Sequence, residues 1–161
     1  MEQKLTPNLW FDFGQAEAAA DFYINDVFKG DGKIVSSADY LEGSPGPAGE
    51  KMVVEWEMAG MRFIGINGGP MFRPSEAFSI QISCDTQEEL DGYWDVIVSN
   101  GGEEGPCGWC KDKFGVSWQI IPTILGKGLQ DKDPARAKRV MQAMLSMRKL
   151  DVAELERAYN G

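Results

Sequence analysis

The sequence predicts an α+β protein made of two βαβββ halves, joined near residues 70–76 and followed by a helical tail. One observation is a pattern of strand, helix and further strands that runs from residue 6 to residue 67 and starts again at residue 76. The other is an internal repeat, because a shift of 71 positions aligns the halves in both strand and helix. The aligned pairs are Asn8 with Ser79, Phe22 with Tyr93, Tyr23 with Trp94, Val27 with Val98 and Gly30 with Gly101.

The first half contains the clearest strand signals. Its predicted strands are 6–11, 33–40, 51–58 and 61–67, with Ala59-Gly60 as a tight hairpin between the last two. Segment 14–28 predicts a helix, because its apolar residues recur every three or four positions. Segment 42–50 concentrates glycine and proline and therefore predicts a surface loop.

The second half repeats this order and leads into the tail. Its predicted strands are 76–84, 107–113 and 116–122, and segment 86–100 predicts a helix that Gly101-Gly102 ends. In the tail, Asp133-Pro134 is a typical helix start, with a capping residue followed by proline. Asp151 followed by Glu154 has the spacing of a capping box and predicts a last short helix.

Charge and cysteine content exclude several classes of protein. The net charge is −9, so the chain lacks the basic surface that binds nucleic acids or anionic membranes without specificity. The N-terminal segment lacks a signal-peptide pattern, and no apolar run approaches the roughly 20 residues that span a bilayer. Three cysteines imply no disulfide framework. We therefore expect a cytoplasmic protein whose partners include neither nucleic acid nor a membrane.

Four strings of the sequence are familiar together: TPNLWFD, INGGP, CGWCKDKFGVSWQIIP and KDPARAKRVMQAMLSMRKLDVAELERA. They resemble the PhnB-like branch of the vicinal-oxygen-chelate superfamily (glyoxalase and bleomycin-resistance proteins), a branch that often carries a demethylubiquinone methyltransferase label. The resemblance implies paired modules that form a cupped mixed β-sheet around a ligand cavity, usually in a homodimer. It also implies one domain over 1–161, with modules at about 1–70 and 76–122 and a tail at about 123–161.

Many members of that superfamily hold a divalent metal in the cup through His and Glu side chains. The resemblance places these ligand positions at Asn8, at Ser79 or its neighbour Phe78, and at Gln119, with another near Ile64-Gly65. The chain has no histidine, and these neutral side chains carry no charge with which to offset the lost hydration of a divalent ion. We therefore expect neither a metal nor another cofactor, and a cup that is kept as a binding cavity.

Strand alternation predicts which side chains line this cavity. If Asn8 faces inward, Trp10 does so too, and Ser79 shares its face with Gln81. Gln119 is expected on the same side of the last strand, and Trp109 is expected at the cavity border. Such a set of aromatic, amide and hydroxyl groups suits a small, partly polar ligand. The alternative is that these polar residues face solvent or hydrogen-bond to one another.

The spacing of Cys107 and Cys110 raises the possibility of a redox dithiol. Such sites place the first thiol at a helix N-terminus, which lowers its pKa, whereas the residues after Cys110 predict a strand and a turn. A zinc site would need two further ligands, and only Cys84 remains in a chain without histidine. A structural role for this segment is therefore favoured.

The sequence leaves three function classes open. A metal-free small-molecule-binding protein is favoured, because it needs only the cavity. The alternative is a metal-independent isomerase or lyase, in which Glu55 and Glu57, alternating on one strand, transfer protons. A thiol redox protein using Cys107 and Cys110 is the distant alternative. The methyltransferase label gains no support, because no glycine-rich turn suited to S-adenosylmethionine follows a predicted strand.

Overall fold

The computed structural model describes residues 3–161. The chain divides into two compact units, one ending at Pro74 and the other running from Ser75 to Gly161. Among the described residues, none of the helices is both long and apolar enough to cross a membrane.

The first unit is a four-stranded sheet with one helix. Its elements are β1 (Asn8–Phe11), α1 (Gln15–Asp21), a π-helical continuation (Phe22–Val27), β2 (Gly32–Asp39), β3 (Lys51–Met58) and β4 (Met61–Asn67). The strand order is β1-β4-β3-β2. β1 runs parallel to β4, while β3 runs antiparallel to both of its neighbours, β2 and β4.

The second unit repeats this topology and adds the tail. Its sheet elements are β5 (Ser79–Cys84), α2 (Gln87–Ser99), β6 (Glu103–Glu104), β7 (Trp109–Lys111) and β8 (Ser117–Pro122). The strand order is β5-β8-β7-β6, and β5 runs parallel to β8 as β1 does to β4. The tail forms α3 (Thr123–Leu129), α4 (Pro134–Leu145) and α5 (Val152–Asn160). The prediction of an α+β protein with two βαβββ halves and C-terminal helices is confirmed.

Each sheet buries one face under the first helix of its own unit. In the first unit, Phe11 and Trp56 are almost fully buried on that side, together with Ala20 of α1. In the second unit, Trp118 and Ile120 lie on the corresponding side with the apolar residues of α2. We call the opposite side of each sheet its outer face. The candidate binding residues alternate onto these outer faces, because successive strand side chains point to opposite sides.

The predicted helix starts at Asp133 and Asp151 are confirmed. The side chain of Asp133 accepts a hydrogen bond from the Ala135 N–H at 2.9 Å, and that of Asp151 accepts one from Glu154 at 2.8 Å. α2 begins in the same way at Thr86, whose hydroxyl oxygen accepts from the Glu89 N–H at 3.2 Å.

Several predicted strands are shorter in the structure, since β5 begins at Ser79 instead of 76 and β7 covers Trp109–Lys111 instead of 107–113. Three larger details also differ from the prediction. The single helix expected over 14–28 changes into a π-helix at Phe22, and this wider turn buries Phe22, Tyr23, Ile24 and Val27. The two-residue strand β6 was not predicted, because Glu103 and Glu104 carry no apolar alternation. The helix α3 was also not predicted, since its two glycines lower helix propensity.

Candidate functional site

The string CGWCKDKFGVSWQIIP forms a hairpin that is organised around Asp112. Oδ1 of Asp112, which is 4% exposed, accepts hydrogen bonds from the N–H groups of Phe114 at 2.8 Å and Val116 at 3.0 Å. Oδ2 accepts one from the Trp118 indole N–H at 2.8 Å. One buried carboxylate thus joins the turn between β7 and β8 to the core under the sheet.

The tail holds the other end of this hairpin. The N–H groups of Cys107 and Gly108 donate to the carbonyl oxygens of Met147 and Arg148, both at 2.8 Å. Gly108 has a φ of 83°, and a Cβ atom there would lie 2.8 Å from Leu150 Cδ1. Glycine is therefore required where the chain passes under the tail, and this turn sets the direction in which β7 begins.

Four of the predicted binding residues come together on the outer face of the second sheet. Trp109, Gln119 and Gln81 are directly opposite one another on neighbouring strands. The side-chain amide of Gln119 donates to the Ser79 hydroxyl at 2.8 Å, while that of Gln81 donates to Ser83 at 3.2 Å. The amide groups of this row hydrogen-bond to neighbouring hydroxyls, which is the alternative that the sequence left open.

A cavity of about 300 Å³ opens beside this row. Its lining residues are Glu76, Glu103, Glu104, Gly105, Pro106, Trp109, Cys110, Lys111 and Ser117. Trp109 is thus the predicted residue that lines the cavity, whereas Ser79, Gln81 and Gln119 lie on the same sheet without lining it.

Lys111 and Ser117 were not predicted as site residues. They are directly opposite each other on β7 and β8 and alternate onto the same face as Trp109 and Gln119, so strand alternation contained the signal that identifies them. Ser117 is 1% exposed, and its hydroxyl has no hydrogen-bond partner among the described residues. A buried hydroxyl without a partner is costly, and this cost distinguishes Ser117 from the other residues that line the cavity.

Two carboxylates face Lys111 at the cavity. The Lys111 ammonium forms an ion pair with Glu76, and its hydrogen bond raises the pKa of Lys111 and lowers the pKa of Glu76. Glu103 is directly opposite Lys111 in the pairing of β6 with β7. Glu104 lies 3.9 Å from Arg148, whose side chain is 71% exposed.

Asn8 and Trp10 belong to the sheet of the first unit. The Asn8 side chain is exposed and donates to the Thr6 carbonyl at 2.9 Å. Trp10 lies against the INGGP segment, where its indole N–H donates to Gly69 at 2.8 Å and a Cβ at Gly68 would lie 2.1 Å from its ring. Gly68 therefore makes room for Trp10, Gly69 leaves room for the Phe13 ring in the same way, and this string has a structural role in the unit.

Glu55 and Glu57 both lie on the outer face of β3. Glu55 accepts hydrogen bonds from the Ser36 hydroxyl at 2.9 Å and from Arg62 at 3.3 Å. Glu57 is directly opposite Arg62 in the pairing of β3 with β4. The two carboxylates thus lie beside a cation on the sheet surface, and neither lines the cavity at Trp109.

The cysteines are free thiols in the structure. Burial raises the pKa of Cys110 to about 12, and it has the same effect on Cys84. Cys110 lies within β7, so no helix dipole follows it, while Cys107 is half-buried in the preceding turn. Cys110 therefore remains protonated at neutral pH and lacks the low pKa of a redox nucleophile.

The side chains at the expected metal-ligand positions do not fit a divalent transition metal. Asn8, Ser79 and Gln119 offer neutral oxygen donors, and Ser79 and Gln119 are hydrogen-bonded to each other. Within residues 3–161, no three His, Cys, Asp or Glu side chains converge in a way that would hold an ion. Such ions prefer imidazole, thiolate or carboxylate ligands.

The paired βαβββ topology defines the class: a fold of the glyoxalase and bleomycin-resistance type. The sequence model of the 3-demethylubiquinone-9 3-methyltransferase family matches residues 3–121, and the chain belongs to this family. The PhnB protein from Bacillus cereus is 31% identical, over 75% of this chain and 100% of its own, with a TM-score of 0.63. The resemblance to PhnB-like proteins is thereby confirmed.

More distant structures share the fold. Protein PA1353 from Pseudomonas aeruginosa is 19% identical, over 73% of this chain and 95% of its own, with a TM-score of 0.56. The fosfomycin resistance protein FosX from Listeria monocytogenes, in complex with Mn(II) and sulfate, is 16% identical, over 73% of this chain and 89% of its own, with a TM-score of 0.51. A comparison with curated proteins gave no match.

Proposed function

We propose that the chain is a metal-free small-molecule-binding protein whose ligand lies on the outer face of the second sheet, in the cavity beside Trp109. The observation that carries this proposal is the cavity of about 300 Å³ itself, whose lining includes the half-buried Trp109 and Ser117, a residue whose buried hydroxyl has no hydrogen-bond partner among the described residues. A concave site with an aromatic wall and a few polar groups is typical of ligand-binding pockets, which start at about 300 Å³.

Tryptophan fluorescence tests the position of the site. Trp10 and Trp109 are half-buried, whereas the other three tryptophans are fully enclosed. A library of small aromatic compounds, together with any compound that mass spectrometry finds in the purified protein, is screened for a fluorescence change. We expect the change for a bound compound to persist in Trp10→Phe and to disappear in Trp109→Phe. The reverse pattern, or a screen without any binder, would overturn the proposal.

The metal-free part of the proposal rests on the neutral side chains at the expected ligand positions. Elemental analysis of the purified protein tests it. We expect Mn, Fe, Ni and Zn well below one equivalent per chain, with binding of the screened compound unchanged after EDTA treatment. A stoichiometric metal that EDTA removes together with ligand binding would refute this part.

The activity in the family name is not carried over to this chain. The connection from β1 to α1 contains one glycine, Gly14, and that from β5 to α2 contains none, so neither offers a glycine-rich loop for S-adenosylmethionine. The isomerase or lyase alternative is also weaker, because Glu55 already accepts hydrogen bonds from Arg62 and Ser36. No observation favours a second function over binding.

We also propose that the protein acts as a cytoplasmic homodimer, as the family resemblance implies. The edge strand β2 supports pairing of two copies, because it exposes Ile34 and Val35 by 38% and 37%. Light scattering on the eluate of a sizing column is expected to give twice the mass of the chain. A monomer at micromolar concentration would contradict the dimer and leave the binding site untouched.

A further inference from the structure

We propose that the ligand of the Trp109 cavity is a small organic cation, a protonated amine with a flat apolar body. This inference rests on the proposed function, because it assigns a ligand class to the same site. It is carried by two independent features of the cavity, its charge balance and the unpartnered hydroxyl of Ser117.

The charge balance of the lining is negative. Glu76 and Glu103 face Lys111 at the cavity, so two carboxylates oppose one ammonium group. Lys111 is already paired with Glu76, which leaves the charge of Glu103 in excess. Glu104 also lines the cavity, but its carboxylate lies on the α2 side of the sheet, where it accepts from the Trp94 indole N–H at 3.4 Å. The net negative charge of the lining would repel a carboxylate or phosphate ligand, whereas it attracts a cation.

The hydroxyl of Ser117 fits the same ligand class. An ammonium group has only donors, and the Ser117 oxygen has lone pairs that no described residue uses. An amine that donates an N–H to Glu103 or to Ser117 would satisfy an acceptor of the cavity. Ser117 lies opposite Lys111, which in turn lies opposite Glu103, so the two acceptors belong to one row of the sheet.

The tryptophan supplies the remaining contact. An indole ring attracts a cation through its negative face and also packs against flat apolar groups. Trp109 is half-buried at the cavity, and Pro106 adds an apolar surface beside it. The volume of about 300 Å³ limits the ligand to a small molecule.

Three probes that differ mainly in charge test the inference: 2-phenylethylamine, 2-phenylethanol and 3-phenylpropanoate. Their dissociation constants are measured by calorimetry on the full chain at neutral pH and constant ionic strength. We expect the amine to bind about tenfold more tightly than the alcohol, which is the usual gain of a hydrogen bond to a charged group over a neutral one. The acid is expected to bind more weakly than the alcohol.

Variants identify the groups responsible. Glu103→Gln should weaken amine binding about tenfold and leave alcohol binding unchanged, because it removes charge and keeps shape. Glu88→Gln, an exposed carboxylate on α2, is the matched control and should change neither. Lys111→Met should strengthen amine binding several-fold, because it removes the competing cation.

The outcomes separate this inference from the proposed function. If the alcohol or the acid binds as well as the amine and Trp109→Phe abolishes the signal, the cation is refuted and the binding site stands. If Lys111→Met weakens binding of every probe, the ligand is an anion and the inference fails. If none of the three probes binds, the cation class also fails, and the compound library decides the proposed function.

Discussion

Replacing Asp112 by asparagine tests how the motif hairpin is held together. The Asp112 carboxylate accepts from two backbone N–H groups through one oxygen and from the Trp118 indole through the other, all within 3.0 Å. An asparagine amide has a single oxygen. That oxygen can accept from the two backbone N–H groups or from the Trp118 indole, but not from both. The donor that loses its acceptor then faces the NH2 group of the asparagine, which is itself a donor.

These contacts determine how much the substitution lowers the free energy of unfolding. A hydrogen bond to a charged group contributes about 1.5–3 kcal/mol, and an unsatisfied buried donor costs about 1–3 kcal/mol. Trp118 is fully buried, so water cannot replace the lost acceptor. We therefore expect Asp112→Asn to lower the free energy of unfolding by about 2–4 kcal/mol. In a Trp118→Phe background the indole donor is gone, and the same substitution should cost about 1–2 kcal/mol less.

The assay is a double-mutant cycle in urea, followed by far-ultraviolet circular dichroism because tryptophan fluorescence changes with Trp118. Equal m values in the four proteins are required for the comparison. If Asp112→Asn costs the same in both backgrounds within about 0.5 kcal/mol, the hydrogen bond from Trp118 to Asp112 does not contribute to stability.

Three further predictions follow from the turn and the tail. At about pH 8, Ellman's reagent should react quickly with Cys107 alone in the folded protein and with all three thiols in guanidinium chloride, because Cys84 and Cys110 are buried and burial raises the pKa of each to about 12. A second fast thiol in the folded protein would contradict this. Gly108→Ala should lower the free energy of unfolding, measured in urea, by at least about 2 kcal/mol, because Gly108 has a positive φ and close neighbours. Cys107→Gly relieves a φ of 58° and should cost nothing. Equal losses of stability in the two variants would refute the role of backbone conformation at Gly108. Asp151→Ala should lower stability by about 1 kcal/mol through loss of a helix cap, and no change in the urea midpoint would contradict this.

Much of the fold was accessible from the sequence because its signals are local. Strands β3 and β4 have the predicted bounds, since alternating apolar residues and the Ala59-Gly60 turn specify them. The helix starts at Asp133 and Asp151 follow from capping chemistry. The strand β6 escaped prediction because its two glutamates are fixed by pairing with β7, a contact between residues that no local pattern encodes.

The candidate site was accessible only in part. Alternation predicted the face on which Gln119 lies, Trp109 was expected at the cavity border, and the register shows that the two residues are directly opposite each other. The ion pair of Lys111 with Glu76 could not be foreseen, because 35 positions separate the two residues and Glu76 lies outside any strand. Burial of the Ser117 hydroxyl depends on the residues around the cavity, and a one-dimensional pattern does not contain this information.

The hydrogen bonds from the turn at Cys107 and Gly108 to the tail have a practical consequence for anyone who expresses this protein. The family match ends at residue 121, whereas the acceptors of those bonds are the carbonyl groups of Met147 and Arg148. A shortened protein that ends at the boundary of the family match would therefore lose two backbone hydrogen-bond partners of this turn and the Leu150 side chain that packs against Gly108. For expression, screening and crystallisation, the smallest useful version of the second unit extends past Leu150 and includes the last helix.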